Sequence, residues 1–321
     1  MTTHHTNHML RATTAVMLGW LAGGSLAAAD DGKKLPFPDV IDASHGSKKA
    51  VTIFEGFFTA KSDHDGVKMV SFFAADPVLY IDAGLGMSWP SRAALLQVWT
   101  TGNFAVKNPL ALSYPVRVVG DEHSAVIEMI DTPMLLGSEF RFLSSVTFND
   151  KRQMVRWIDY WDGRSSQVHL PIGTFGPYPS DFHDSVVNAS ETIKQVSQAL
   201  QDRFSAGDAA GAVQLFTPDA VFEDMALHTR VEGQLQIGRY LTRALSSVPY
   251  GPGASLAHVV GSDEGGGYEW KASPVASPLV RGNTALELDE NGKISRFTTI
   301  YDSFQLTNAA YMALVLLAAE Q

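Results

Sequence analysis

Trp157-Ile-Asp-Tyr-Trp161 sets an aspartate between two tryptophans at alternate positions, a spacing that puts all three side chains on one face of a strand. If that face is the inner one, Asp159 is buried against indole rings. Burial disfavours its charged form and moves its pKa upward, toward the range of an acid or base working near neutrality. The opposite register turns Arg156, Ile158 and Tyr160 inward and leaves Asp159 in solvent; the apolar bulk of Trp157 and Trp161 favours the first. A second aspartate, Asp82, ends Leu79-Tyr-Ile-Asp82 just before Ala83-Gly-Leu-Gly86. There it either caps the turn or faces the same interior. With both carboxylates in one cavity, one stays ionised and accepts a proton while its neighbour is kept protonated and donates. Tyr80 and His64 are candidate assistants, although a lone histidine in Asp63-His-Asp65 is more often simply solvent-exposed. Under this reading Asp159→Asn is expected to abolish turnover.

Positioning these side chains requires strands, and the chain supplies the pattern twice. Phe73 to Asp82 leads nine residues later to Ser91 and a helical run ending at Trp99; Phe216 to Asp224 leads nine residues later to Gly233 and a helical run through Tyr240. Each half closes on a hairpin, Val146 to Trp161 and Leu286 to Tyr301. A period above about 100 residues is too long for a solenoid and indicates two copies of one domain. In the first copy Val51, Phe54, Phe57 and Phe58 recur at helical spacing, and Val67, Met69, Val70, Phe72 and Phe73 continue the helical layer. Candidate strands there are 79–82, 114–119, 125–130, 140–148 and 154–161. In the second copy Phe297, Thr299 and Tyr301 take the places of Trp157, Asp159 and Trp161. Asp224, with Glu223 and His228 nearby, gives that half a weaker candidate site.

Residues 1–29, with Arg11 ahead of an apolar stretch and Ala27-Ala-Ala29 before Asp30, read as a signal for export to the periplasm or exterior. Residues 30–46 form an exposed lead-in, 47–169 the first domain, 170–187 a Pro- and Gly-containing linker, 188–306 the second domain and 307–321 a short C-terminal helix. Asn188 with Glu191 is a candidate capping box. The glycine-rich run 261–267 reads as a mobile surface hairpin. The formal net charge is -10 without clustered Lys or Arg, so nucleic acid is an unsuitable partner. There are no cysteines, which removes thiol nucleophiles and thiolate metal sites. The histidines show no ligand spacing, and phosphate loops and nucleophile elbows are absent, so neither metal nor cofactor is expected.

Ala206-Gly-Asp-Ala-Ala-Gly-Ala-Val-Gln-Leu-Phe-Thr-Pro-Asp-Ala-Val-Phe-Glu-Asp224 resembles the start of ketosteroid isomerases, SnoaL-like polyketide cyclases and other nuclear-transport-factor-two-like proteins. Asn291 to Tyr301 resembles their closing strands. The resemblance covers about 190–305 and, more weakly, 47–165. It implies an α+β class: two cone-shaped α+β barrel domains, each a curved antiparallel sheet wrapped around helices, with a deep apolar pocket. The general base of the isomerases falls on Asp224 and, through the repeat, on Asp82. Their oxyanion tyrosine falls on Leu200, and their protonated aspartate falls on Thr284 and Ser144. The fold hosts many reactions, so the site must carry the functional argument.

These observations lead to an exported, cofactor-independent lyase, dehydratase-like, or isomerase. Asp82, Asp159, Tyr80 and Asp224 are its candidate acid-base residues, acting on a small apolar or aromatic molecule gripped by Trp89, Trp99, Trp157, Trp161, Phe297 and Tyr301. The alternative is a non-catalytic periplasmic binding protein for an aromatic or terpenoid ligand. The two domains are expected to pack as an internal pseudo-dimer, with no stable membrane insertion after signal removal.

Overall fold

A computed structural model describes residues 41–185, 187–273 and 279–318. The segment read as an export signal and most of the lead-in lie outside the described residues. No helix among those described is long and apolar enough to cross a membrane.

In the first half, α1 (Lys48–Ser62) begins where Ser47 accepts a hydrogen bond from the Ala50 N–H. Its Phe54, Phe57 and Phe58 form one buried stripe. α2 (Gly66–Ser71) completes the turn below it. β1 (Leu79–Asp82) and β2 (Met87–Trp89) form a short antiparallel pair, followed by α3 (Arg92–Trp99). β3 (Ser113–Gly120), β4 (Ser124–Asp131), β5 (Phe140–Phe148) and β6 (Met154–Tyr160) then run as an antiparallel meander, with α4 (Pro133–Leu136) between β4 and β5. The sheet order is β2-β1-β6-β5-β4-β3.

The second half repeats this plan. α5 (Glu191–Ser205), α6 (Ala209–Val213), β7 (Phe216–Asp224), β8 (Thr229–Glu232) and α7 (Gln234–Ala244) precede β9 (Ser255–Ser262), β10 (Gly265–Lys271), β11 (Arg281–Leu288) and β12 (Ile294–Tyr301). Its order is β8-β7-β12-β11-β10-β9, and α8 (Asn308–Ala318) closes the described chain. Both halves are α+β. The sheets are open, and each is mixed rather than wholly antiparallel, because β1 runs parallel to β6 and β7 parallel to β12. A helix and a long meander separate the members of each parallel pair, the long crossover that parallel pairing requires. The N-cap of α5 is Ser190, whose hydroxyl accepts from the Ile193 N–H. Asn188 instead donates its side-chain amide to the Phe148 carbonyl at 2.8 Å.

Each sheet packs one face on its own helices and the other on its counterpart. Leu79, Ile81, Val126, Leu143, Ile158 and Tyr160 meet Met225, Val260, Ala285 and Ile300 in a shared apolar layer. The glycine run is part of this contact rather than a mobile hairpin. Gly265 and Gly267 lie in β10, where a Cβ would stand 2.8 Å from Val119 Cγ1 and 2.7 Å from Val126 Cγ2. Within the layer, fully buried Glu269 accepts from Arg156 at 2.5 Å, Arg281 at 2.8 Å and the Tyr160 hydroxyl at 2.7 Å. Burial alone would raise its pKa; the two guanidinium charges outweigh that and hold it well below the usual range.

Candidate active site

The parallel pairing of β1 with β6 sets Tyr80 beside Trp157 and Asp82 beside Asp159. Directly opposed residues on one sheet face stand roughly 5 Å apart, so the two carboxylates are neighbours by construction. They face a cavity of about 180 Å³ within the concavity of the first sheet. Tyr80, Asp82 and Asp159 form its polar wall. Trp89, Trp99, Trp161, Phe57, Phe140 and Phe142 supply aromatic walls, and Leu170 and Phe175 from the linker contribute to the lining.

Asp159 is only 3% exposed. Its Oδ1 accepts from the Ser144 hydroxyl at 2.5 Å and from the Trp157 indole N–H at 2.5 Å, while its Oδ2 accepts from the Tyr80 hydroxyl in a short contact. Burial raises its pKa above the ordinary aspartate value, against the opposing effect of those donors. Burial and the Asp159 charge push the Tyr80 hydroxyl well above its usual range. Asp82 is more open. Its Oδ1 accepts from the Leu85 N–H and from the Trp161 indole N–H, each at 2.8 Å. It therefore caps its turn and lines the cavity at once. Burial first, and the nearby Asp159 second, raise its pKa to about 7.

Three residues assigned to ligand contact do not line this space. Trp157 is wholly buried behind the polar wall, stacked on Tyr80 at 5.9 Å and packed against Phe54 and Phe57, because its indole turns back to bond Asp159. Phe297 stacks on Phe222 at 4.3 Å, and Tyr301 packs on Trp270 at 5.9 Å, both inside the buried core of the second half. Asp224 sits in that core with no exposure, accepting from Leu227 N–H and Tyr250 at 3.1 Å and from Tyr301 at 3.4 Å. Glu223 lies on the other face, paired with Arg296 at 2.8 Å and Arg141 at 3.1 Å. His228 meets Ser165 at 3.1 Å and His64 meets the Asn108 carbonyl at 3.2 Å; neither lines the cavity.

Sequence reasoning missed one polar pair in the wall. Lys61 Nζ bonds both Asp131 oxygens, at 2.9 and 2.8 Å, and both residues line the cavity. They are 70 positions apart, and no local pattern joins them.

Two outcomes follow from this geometry. A Cβ on Gly84 would fall 2.5 Å from the Trp161 indole, so Gly84→Ala is expected to displace that ring, break its bond to Asp82 and cost about 1–3 kcal/mol. A denaturation curve unchanged from the wild type would show that the ring has room to yield. Burial raises Asp224 to about 7 from 3.8, so between those values the folded state holds a proton that the unfolded chain has released. This group's contribution is therefore most favourable below about pH 4, declines as pH rises to about 7, and is flat beyond. Melting temperatures across that window should lose this decline in Asp224→Asn; an identical profile in both proteins would remove Asp224 as its source.

No family model matches the chain, and no curated protein matches it. Solved structures do. A steroid Δ-isomerase from Pseudomonas aeruginosa is 16% identical and covers 41% of this chain and 92% of its own, with a TM-score of 0.33. An NTF-2-like protein from Burkholderia xenovorans is 20% identical and covers 41% of this chain and 95% of its own, with a TM-score of 0.30. A SnoaL-like protein from Burkholderia thailandensis is 13% identical over 34% of this chain and 94% of its own, with a TM-score of 0.30. Each half of this chain sets its helices against one face of a mixed six-stranded sheet. At 20% identity or less these likenesses assign no chemistry, which has to be read from the cavity.

Proposed function

We propose that the first half is a cofactor-independent acid-base enzyme, an isomerase or a dehydratase-like lyase, acting on a small apolar or aromatic molecule that carries a carbonyl or hydroxyl. The observation that carries this reading is the pairing of Asp82 with the Tyr80–Asp159 contact on one wall of an otherwise apolar cavity. Asp82, with a pKa near the working pH, takes a proton from substrate carbon through Oδ2. Negative charge then leaves Asp82 and develops on the substrate oxygen. Asp159 already accepts two bonds on Oδ1, so a proton on Oδ2 lets it donate to Tyr80, freeing the Tyr80 O–H to donate to that oxygen. Returning the proton to another carbon completes an isomerisation; loss of a leaving group with the proton completes an elimination. The family's oxyanion aspartate falls on Ser144, and Ser144 here bonds the carboxyl of its cross-strand neighbour Asp159, so a carboxyl still serves that station.

The second half, in this proposal, is a built-in structural partner, and the chain is exported after loss of residues 1–29. Titrating tryptophan fluorescence with phenols, ketosteroids and terpenoids, followed by product analysis on those that bind, tests the enzymatic reading. Binding without conversion would favour the non-catalytic carrier. The N-terminal mass of protein recovered from the cell exterior or periplasm tests export.

A further inference from the structure

We propose that Lys61 and Asp131 form a second polar station in the cavity, one that recognises a neutral carbonyl or hydroxyl oxygen on a substrate whose other oxygen is held by Tyr80. This rests on reading the cavity as a substrate site, and it narrows the substrate to a neutral molecule with oxygen at two ends of an apolar body. Lys61 closes α1 and Asp131 closes β4; they are 6% and 1% exposed. The Ser113 hydroxyl also donates to Asp131.

A buried ion pair is a poor means of stabilising a fold, since well-packed apolar residues often do as well or better. The second half makes that replacement. α1 and α5 are both 15-residue helices beginning after a capping serine, which places Phe204 where α1 has Lys61. Matching Ile127 beside Ser144 to Tyr268 beside Thr284 places Ala272 where the first sheet has Asp131. The pair lines the cavity of the first half, and Phe204 and Ala272 stand at the matching positions of the second, so the shared architecture does not require it.

An ammonium group has three donors, and Asp131 takes two of them. The third remains for the contents of the cavity, beside the Phe58 and Phe142 rings at 5.9 and 6.0 Å. Asp131 already balances the Lys61 charge. A carboxylate ligand would add a negative charge near Asp131 and Asp82, whereas a neutral oxygen takes the free donor without that repulsion.

Calorimetric titration with 2-naphthol and 2,6-dihydroxynaphthalene tests this. The wild type is expected to bind the diol about tenfold more tightly, the value of one bond to a charged donor. In Lys61→Met/Asp131→Leu, which removes both charges together, the diol loses its advantage over 2-naphthol whatever the absolute affinity of either. Lys61→Gln keeps a neutral donor and part of the advantage, and it serves as the comparison if the double variant does not fold. Equal affinities in the wild type, or an advantage that survives in both variants, overturns the second station while leaving the cavity a binding site. If neither compound binds the wild type, the substrate-site reading fails and this inference fails with it.

Discussion

Asp82→Asn is expected to lower turnover of any substrate found for the first half by a factor of about 10²–10⁴, the usual contribution of a positioned general base. The amide oxygen can still accept from Leu85 and Trp161, so the turn and the Trp161 ring stay in place and ligand affinity changes little. What is lost is the capacity to hold a proton at neutral pH. Asp159→Asn provides the informative contrast, and the geometry revises the outcome expected from sequence. Asparagine can accept from Ser144 and Trp157 through its oxygen and donate to Tyr80 through its amide, reproducing the pattern of a protonated Asp159. Its loss should therefore be smaller than that of Asp82→Asn. Pre-steady-state rates and affinities for both variants decide the matter: equal, complete losses would mean that Asp159 works ionised, and full activity in Asp82→Asn would remove the proposed base.

Glu269→Ala is expected to cost about 3–5 kcal/mol of stability, because it removes one member of a buried ionic group and orphans the others. Arg156 has no exposure and would keep only Ser145 at 2.8 Å, the Phe182 carbonyl at 2.7 Å and Asp184 at 3.4 Å. Arg281 would likewise lose its buried carboxylate, keeping Asp184 at 2.8 Å. Asp184 is partly exposed on the linker, so Asp184→Ala should cost much less. Urea denaturation of the two variants measures the difference. A loss below about 1 kcal/mol for Glu269→Ala would mean that water reaches Arg156 and satisfies it.

The tandem fold was legible because Asp82 with Ser91 and Asp224 with Gly233 repeat at one spacing, and strand alternation alone places Asp159 with Trp161 on one face. Alternation misjudges the other face. Arg156 and Tyr160 look like solvent-facing residues until Glu269, more than a hundred positions away, is seen between them. The same limit hid the Lys61–Asp131 pair, since contact across a sheet and a helix leaves no local period. Trp157 was placed on the correct face, but its rotamer takes the indole away from the cavity, and sequence does not encode rotamers. The glycine run misled because glycine permits two opposite things, a mobile turn and a close approach of backbones; only the opposing Val119 and Val126 side chains distinguish them.

The linker that lines the cavity with Leu170 and Phe175 also keeps the two sheets on one polypeptide. Two separate chains meeting through such faces would be subject to dilution, and a cavity wall backed by a departed neighbour would lose its support. Tethering turns that encounter into an intramolecular one, with an effective concentration in the millimolar range for a short link. The strand bearing Asp159 thus keeps its backing however scarce the protein becomes, and each half can change sequence without having to remain complementary to a copy of itself.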